Sequence, residues 1–401
     1  MTLPLQGIRV LELGDFLPSA FCCMQLADFG AEVIRVQAPA KAAGGRRAEQ
    51  AAQVPSEIRS PFQAEACFDT VGRNRRSVVV DLKDPAGQAV GRKLAASCDV
   101  LVEGFRPGVM HRLGLGYEAL KELAPRLVYC SITLFGQTGP YRDWPGHDPL
   151  GLGVAGVLYL NSDPSNDVPR LVGSPVGDIS AALHGTIGVM MALRARDHTG
   201  RGQLVDIGMT DASIDFSMFT AMQALQGTTV PRLNKPNPVS GVWETSDGKY
   251  ICTTNLEPHH WANFCISIGR NDLIPLRYDR ARRDELFTQV RGLMRTRTQA
   301  QWLEAFHGEL ESQAAPVNDL QAMLKDPHVA ARDMVIDTSD GAGNHGRQLG
   351  FSVKLQETPA RLRNVAPPVG ADSRAVLREL GYGSDQIEGL LASGVVQEQV
   401  A

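Results

Sequence analysis

Short β-rich runs alternate with helix-period segments through the first third of this 401-residue chain, and that rhythm limits the fold more than any other feature. Ile8 to Leu13 reads as a strand, Phe21 to Phe29 as a helix and Glu32 to Val36 as the next strand. The pattern resumes with a strand at Ser77 to Leu82, a helix at Pro85 to Ala96, and strands at Val100 to Glu103 and Leu127 to Thr133. Strands separated by helices of this length predict a parallel sheet with right-handed crossovers. Between the two stretches, Ala38 to Gly72 is rich in Ala, Arg, Gln and Gly without periodicity, and is expected to be a long surface excursion.

Further on, apolar residues at helical spacing predict a helix over Asp178 to Arg196, which the Thr199-Gly200 pair stops. A strand at Gln203 to Ile207 and a helical stretch from Asp211 to Leu225 follow. Three prolines between Pro231 and Pro238 mark a linker. Beyond it come a strand at Tyr250 to Thr254, a helix at Pro258 to Ile268 and one or two amphipathic helices over Asp284 to Leu310, enough for a smaller domain. The tail carries a turn-rich stretch, Ser339 to Gly346, and a helix from Ser373 to Leu380.

Composition removes several classes of function. A net charge of −4 without any run of like charges argues against a general nucleic-acid partner. The seven cysteines are odd in number and contain no CxxC pair, so they read as reduced side chains of a cytosolic protein. The first residues lack a signal peptide, no apolar run reaches membrane-spanning length, and the last residues form no organelle address. Cytoplasm without membrane attachment is the expectation. There is no GxGxxG after a strand, no P-loop, no GxSxG elbow and no His/Cys spacing suited to zinc, so neither a nicotinamide cofactor nor a metal is expected.

The chemistry-bearing residues are Gly146-His147-Asp148, shortly after Gly136-Gln137-Thr138-Gly139-Pro140-Tyr141, and Gly177-Asp178. His147 precedes the apolar segment Leu150 to Leu160, and Asp178 opens a periodic helix. An imidazole and a carboxylate at two helix starts suit proton transfer at a carbon acid, one group on each face. A carboxylate nucleophile in acyl transfer fits as well, with first-turn N–H groups available to an oxyanion. Each residue also has a plain structural use: Asp148 and Asp178 as caps, and Glu257, before Pro258, as a complement to a helix dipole. Arg73, Arg75 and Arg76, with Lys83, Arg106 and Arg112, would hold a phosphorylated group if they lined one sheet edge.

The chain as a whole resembles the class III CoA-transferase superfamily, which includes the α-methylacyl-CoA racemases. The resemblance lies in Gly7 to Leu13, Leu26 to Val36, Val80 to Lys83, Phe105 to Gly108, Phe135 to Tyr141, Gly200 to Gln203 and Asp247 to Tyr250. It implies an α/β fold: a Rossmann-like large domain with a parallel sheet, a smaller α/β domain joined by linkers, and an interlocked homodimer. The expected parts are 1–225 for the large domain, 226–325 for the small domain and 326–401 for the return to the large one. The resemblance places CoA at Val80, Asp81, Leu82, Lys83, Arg112, Gly146 and Asp148, with Arg106 and Arg75 or Arg76 as weaker contacts. The CoA is then part of the substrate, and no separate cofactor is implied.

Transferases of the superfamily usually carry an aromatic residue at position 147, whereas the racemases carry histidine. Asp178 matches both the transferases' nucleophile and the racemases' second acid/base. Glu257 matches a racemase glutamate that orients the histidine. The glycine-rich loop of many transferases, which would fall near Pro236 to Gly241, is absent, and Ala38 stands where racemases usually carry a basic residue. The implied activity is racemisation or epimerisation of 2-methyl-branched acyl-CoA thioesters through an enolate, catalysed by His147, Asp178 and Glu257. The alternative is CoA transfer between carboxylic acids through a covalent Asp178 intermediate.

Overall fold

A computed structural model describes residues 2–14, 16–39, 65–163, 165–228, 237–308, 310 and 312–399. Most of the 38–72 excursion and residues 231–236 of the linker lie outside the described residues. The chain divides into two compact units, one of Met1–Asn161, Arg170–Val230 and Asp333–Ala401, the other of Ser162–Pro169 and Pro231–Arg332.

The larger unit is built on a seven-stranded sheet. Its first six strands are β1 (Arg9–Leu13), β2 (Glu32–Gln37), β3 (Arg75–Val80), β4 (Val100–Glu103), β5 (Val128–Thr133) and β6 (Leu204–Gly208). All of these pair in parallel, as the alternation of strands and helices predicts. Helices cover both faces, so the strands are apolar at successive positions: Val100, Leu101 and Val102 are all fully buried. Leu11, Ile34 and Val78 face the helix Pro85–Ala96 and the C-terminal helices, whereas Val10, Val33 and Cys130 face the helices Leu17–Asp28 and Val176–Thr199.

The helix Val176–Thr199 is, among the described residues, the one long and apolar enough to cross a membrane, although no apolar run of that length is evident from the sequence. Its apolarity has a use inside the fold. Gly185 brings it against the sheet so closely that a Cβ there would lie 2.8 Å from Ile132 Cδ1. Leu150 to Leu160, read from the sequence as one helical segment, is instead two helices, Asp148–Val154 and Val157–Leu160, broken where Gly156 adopts a φ of +79°.

The smaller unit contains an antiparallel sheet of β7 (Ser240–Glu244), β8 (Tyr250–Thr254) and β9 (Ala314–Val317). Its core is aromatic, with Trp243, Trp261, Phe264, Trp302 and Phe306 buried together. The turn-rich stretch near Ser339 is the turn of a hairpin, β10 (Val335–Ser339) with β11 (His345–Leu349), in the larger unit. The chain ends with a helix the periodicity does not reveal, Ser384–Ala392, and β12 (Val396–Gln397), which adds antiparallel to β3.

All seven cysteines are free and six are buried. Burial pushes the Cys22 and Cys98 thiols up to about 12, so they are unreactive packing groups.

Candidate active site

The strand order β12-β3-β2-β1-β4-β5-β6 reverses direction between β1 and β4. In open parallel sheets a crevice forms there, outside the carboxyl ends of the strands. A cleft of about 510 Å³ occupies that position. Its walls come from the ends of five strands: Leu13 and Gly14 after β1, Gln37 and Ala38 after β2, Val80 to Lys83 after β3, Gly104 to Arg106 after β4, and Thr133 with Leu134 at β5. Gly146 and His147 complete the lip.

Val80, Asp81, Leu82, Lys83, Arg106 and Gly146 therefore share one cavity, as the resemblance implies. The Lys83 loop is held by Asp81, whose Oδ1 accepts from Lys83 N at 3.0 Å. Asp84 then caps the next helix by accepting from Ala86 N at 2.8 Å. Arg112 is exposed and stands outside the cleft wall, its Nη1 lying over Gly108.

Arg73, Arg75 and Arg76 are matched inside the protein and are not assembled as a phosphate clamp. Arg73 is fully buried and binds Asp28 in bidentate fashion, Arg75 meets the buried Glu12, and Arg76 bridges Glu32 and Glu379.

His147 is the N-cap residue of the helix Asp148–Val154 and makes no capping bond with its side chain, which leaves the imidazole at the cleft lip. Asp148 is turned the other way and buried. Its Oδ2 accepts from Gly177 N at 2.6 Å and Asp178 N at 3.0 Å, so it caps a helix thirty residues away and is not a cleft contact. One carboxylate thus ties the start of the His147 helix to the start of the Asp178 helix. With Val176 N bonded to Ser174 O and Ile179 N to Pro175 O, the first-turn N–H groups are occupied. They are not the oxyanion donors that the sequence suggests.

Asp178 itself is half-buried, and its Oδ1 is buried without a hydrogen-bond partner among the described residues. Burial first, and the charge of Asp148 second, push its carboxyl up to about 7. Asp178 does not line the cleft wall; its link to His147 runs through Asp148. Glu257 belongs to the smaller unit, where it is the N-cap residue of the helix Pro258–Ser267 without a capping bond from its side chain.

Asp148→Asn keeps an oxygen for both N–H groups but removes the charge, so the Asp178 carboxyl should titrate at lower pH than in the wild type. A carbon-detected NMR titration measures this, and an unmoved midpoint would show that burial alone sets the value. Asp148→Ala should instead destabilise the fold by about 1–3 kcal/mol, because two N–H groups lose their acceptor.

The sequence reading passes over Glu103. It lies buried at the end of β4, with one carboxylate oxygen bonded to Ser131 Oγ and the other accepting from Phe105 N at 2.8 Å. Ser131 Oγ also accepts from Gln137 Nε2 at 2.8 Å, which anchors the Gly136-Gln137 motif beneath the cleft floor. Burial pushes Glu103 up to about 7. Its only trace in the sequence is an acidic residue ending an apolar strand, Val100-Leu101-Val102-Glu103.

A doubly covered parallel sheet with its cleft at the switch point defines an α/β enzyme that binds its ligand across strand ends. The sequence model for CoA-transferase family III matches residues 5–373, and the chain belongs to that family. The β subunit of succinyl-CoA–L-malate CoA-transferase from Chloroflexus aurantiacus is 31% identical over 416 residues, covering 98% of each chain. Human α-methylacyl-CoA racemase is 30% identical over 403 residues, covering 98% of this chain and 97% of the racemase. Among solved structures, a CAIB/BAIF family protein from Brucella suis superposes with a TM-score of 0.79 at 26% identity, covering 95% of this chain and all of that one.

Proposed function

We propose that this enzyme racemises or epimerises 2-methyl-branched acyl-CoA thioesters, with His147 and Asp178 exchanging the α-proton on opposite faces and Glu257 as the third catalytic residue that the resemblance implies. The observation that carries the reading is the Asp178 carboxyl, pushed up to about 7 with one oxygen bare, tied through Asp148 to the helix that begins beside His147. An acid/base works best when its pKa lies near the operating pH, because both protonation states are then populated. A reversible proton exchange needs both. The thioester assists by making the α-carbon more acidic than that of a carboxylate.

The CoA portion lies along Val80 to Lys83, with Lys83 and Arg106 as the cationic contacts and Gly146 at the lip. No separate cofactor takes part. The working form is the interlocked homodimer that the resemblance implies. Exposed apolar side chains on the helical side of the larger unit, Met191, Phe219 and Leu225, support an assembly that covers them. We place the enzyme in the cytoplasm.

A second reading is favoured by the transferase relatives. There the Asp178 carboxylate attacks the thioester, passes through an acyl anhydride and an enzyme-bound CoA thioester, and hands CoA to another acid. One assay separates the two. A chiral 2-methylacyl-CoA incubated in D2O without an acceptor acid should gain deuterium at the α-carbon and lose its stereochemical purity. CoA movement that requires an acceptor, with no α-exchange, would assign the transferase. His147→Ala should slow the exchange by about 10²-fold or more. Exchange at the wild-type rate would remove His147 from the mechanism.

A further inference from the structure

From the buried Glu103, hydrogen bonds run to two separate stretches of the strand-end cleft. One carboxylate oxygen accepts from Phe105 N at 2.8 Å, within the Gly104 to Pro107 stretch that lines the cleft. The other accepts from Ser131 Oγ, which itself accepts from Gln137 Nε2 at 2.8 Å. Gln137 O then receives Arg142 Nε at 2.9 Å, and Arg142 lines the cleft as well. Every residue in this chain of bonds belongs to the larger unit.

Among the described residues Glu103 has no ion pair, and a carboxylate buried without a counter-charge is costly. A glutamine would occupy the same space without that cost, but it offers one acceptor and one donor where the site presents two donors. With its NH2 turned to Ser131, whose Oγ already accepts from Gln137, the serine hydroxyl hydrogen would lose its acceptor. The full set of bonds therefore requires the negative charge.

We propose that Glu103 is a positioning residue for substrate binding, whose carboxylate fixes the Gly104 to Pro107 and Gln137 to Arg142 stretches in the arrangement that receives the CoA end of the substrate. The proposal rests on the reading of this cleft as the CoA site. Burial pushes the Glu103 carboxyl up to about 7 against the two hydrogen bonds that lower it, and Asp206 on β6 adds to the rise. The other groups around it keep their charge state in that range. Tyr129 and Cys130 on β5 are pushed well above their ordinary values by burial, and Leu13, its register partner on β1, is apolar. The charged form, and with it the complete arrangement, prevails above about pH 7 and is lost below it.

Calorimetric titration of the full chain with free CoA, at about pH 8.5 and about pH 5.5, tests this. At the higher pH Glu103→Gln should bind CoA about tenfold more weakly than wild type, and at the lower pH the two should agree within about twofold. Comparing the two proteins at each pH cancels the titration of the ligand's own phosphates. Ser131→Ala cuts the Gln137 branch and keeps the Phe105 one. It should lose about fivefold at the higher pH, and it carries the test if Glu103→Gln does not fold. A loss in Glu103→Gln of equal size at both pH values overturns the proposal, because a role in packing alone does not depend on charge. So does tighter binding by Glu103→Gln at the higher pH, which would mean that the buried charge only repels the ligand's phosphates. Wild-type affinity in both variants overturns it too. A wild-type enzyme that binds no CoA would remove the CoA reading of the cleft and the proposal with it, whereas each of the other failures leaves that reading standing.

Discussion

Asp178→Asn should lower turnover by about 10³-fold or more while leaving the affinity for CoA within about twofold of wild type. The two halves of this expectation come from different parts of the structure. Asp178 lies at the start of its helix, off the cleft wall, so the amide disturbs no cleft contact. The amide can neither accept the substrate proton nor attack a thioester, so both chemistries fail. Binding lost in step with turnover would mean that Asp178 shapes the CoA site instead. The same substitution has a signature in stability. The folded chain holds the Asp178 proton more tightly than the unfolded one, with a carboxyl at about 7 against an ordinary aspartate value of 3.8. This group's contribution to stability is therefore complete below the unfolded value and is lost as pH rises through about 7. Asparagine resembles the protonated form, so the thermal midpoint of Asp178→Asn should gain on that of the wild type between pH 5 and pH 8. A gain that does not grow with pH would contradict a raised carboxyl.

Asp28→Ala should cost about 3–5 kcal/mol and lower the thermal midpoint by roughly 10 °C. Asp28 and Arg73 are both buried, joined at 2.9 and 2.7 Å, and Asn74 Nδ2 adds a third bond to the carboxylate at 2.8 Å. Arg73 also donates to Leu349 O at 2.5 Å and sits 4.5 Å from the centre of the Phe351 ring, so the pair joins the N-terminal layer to the β10–β11 hairpin and the segment after it. Burial raises the Asp28 carboxyl even against Arg73, which shows how strongly the site disfavours charge. Removing the carboxylate leaves a guanidinium buried with no counter-charge. The double substitution Asp28→Leu with Arg73→Met should recover most of the loss, since burying two apolar groups leaves no charge unpaired. A melt of Asp28→Ala within about 2 °C of wild type would show that water reaches Arg73.

Local pattern reveals the elements that repeat. The strands from β1 to β5 and the helices Pro85–Ala96, Pro258–Ser267 and Ser373–Glu379 follow the sequence expectations to within a few residues at most ends, because side-chain period and proline position are local properties. The family and the strand-end position of Val80 to Lys83 are equally legible. What local pattern omits depends on distant partners. Asp148 has the sequence of a cap for its own helix, and only the folded chain shows it serving Gly177 and Asp178. Arg73 to Arg76 read as a phosphate clamp because their acidic partners, Asp28, Glu12, Glu32 and Glu379, are scattered through the sequence. Arg282 and Arg283 are adjacent in sequence, and only their surroundings separate a paired residue from an unpaired one.

The small strand β12 sets the order of events in making this enzyme. Val396 and Gln397 pair with Val80 and Val79, and Asp81 N donates to Val395 O at 2.8 Å, so the loop that walls the strand-end cleft is held by residues made more than three hundred positions later. On a ribosome, β1 to β5 can assemble early, but their outer edge waits for the last segment of the tail. Until then β3 carries an open edge of the kind that recruits other strands. That edge stays open through the whole synthesis of residues 231–332 of the smaller unit.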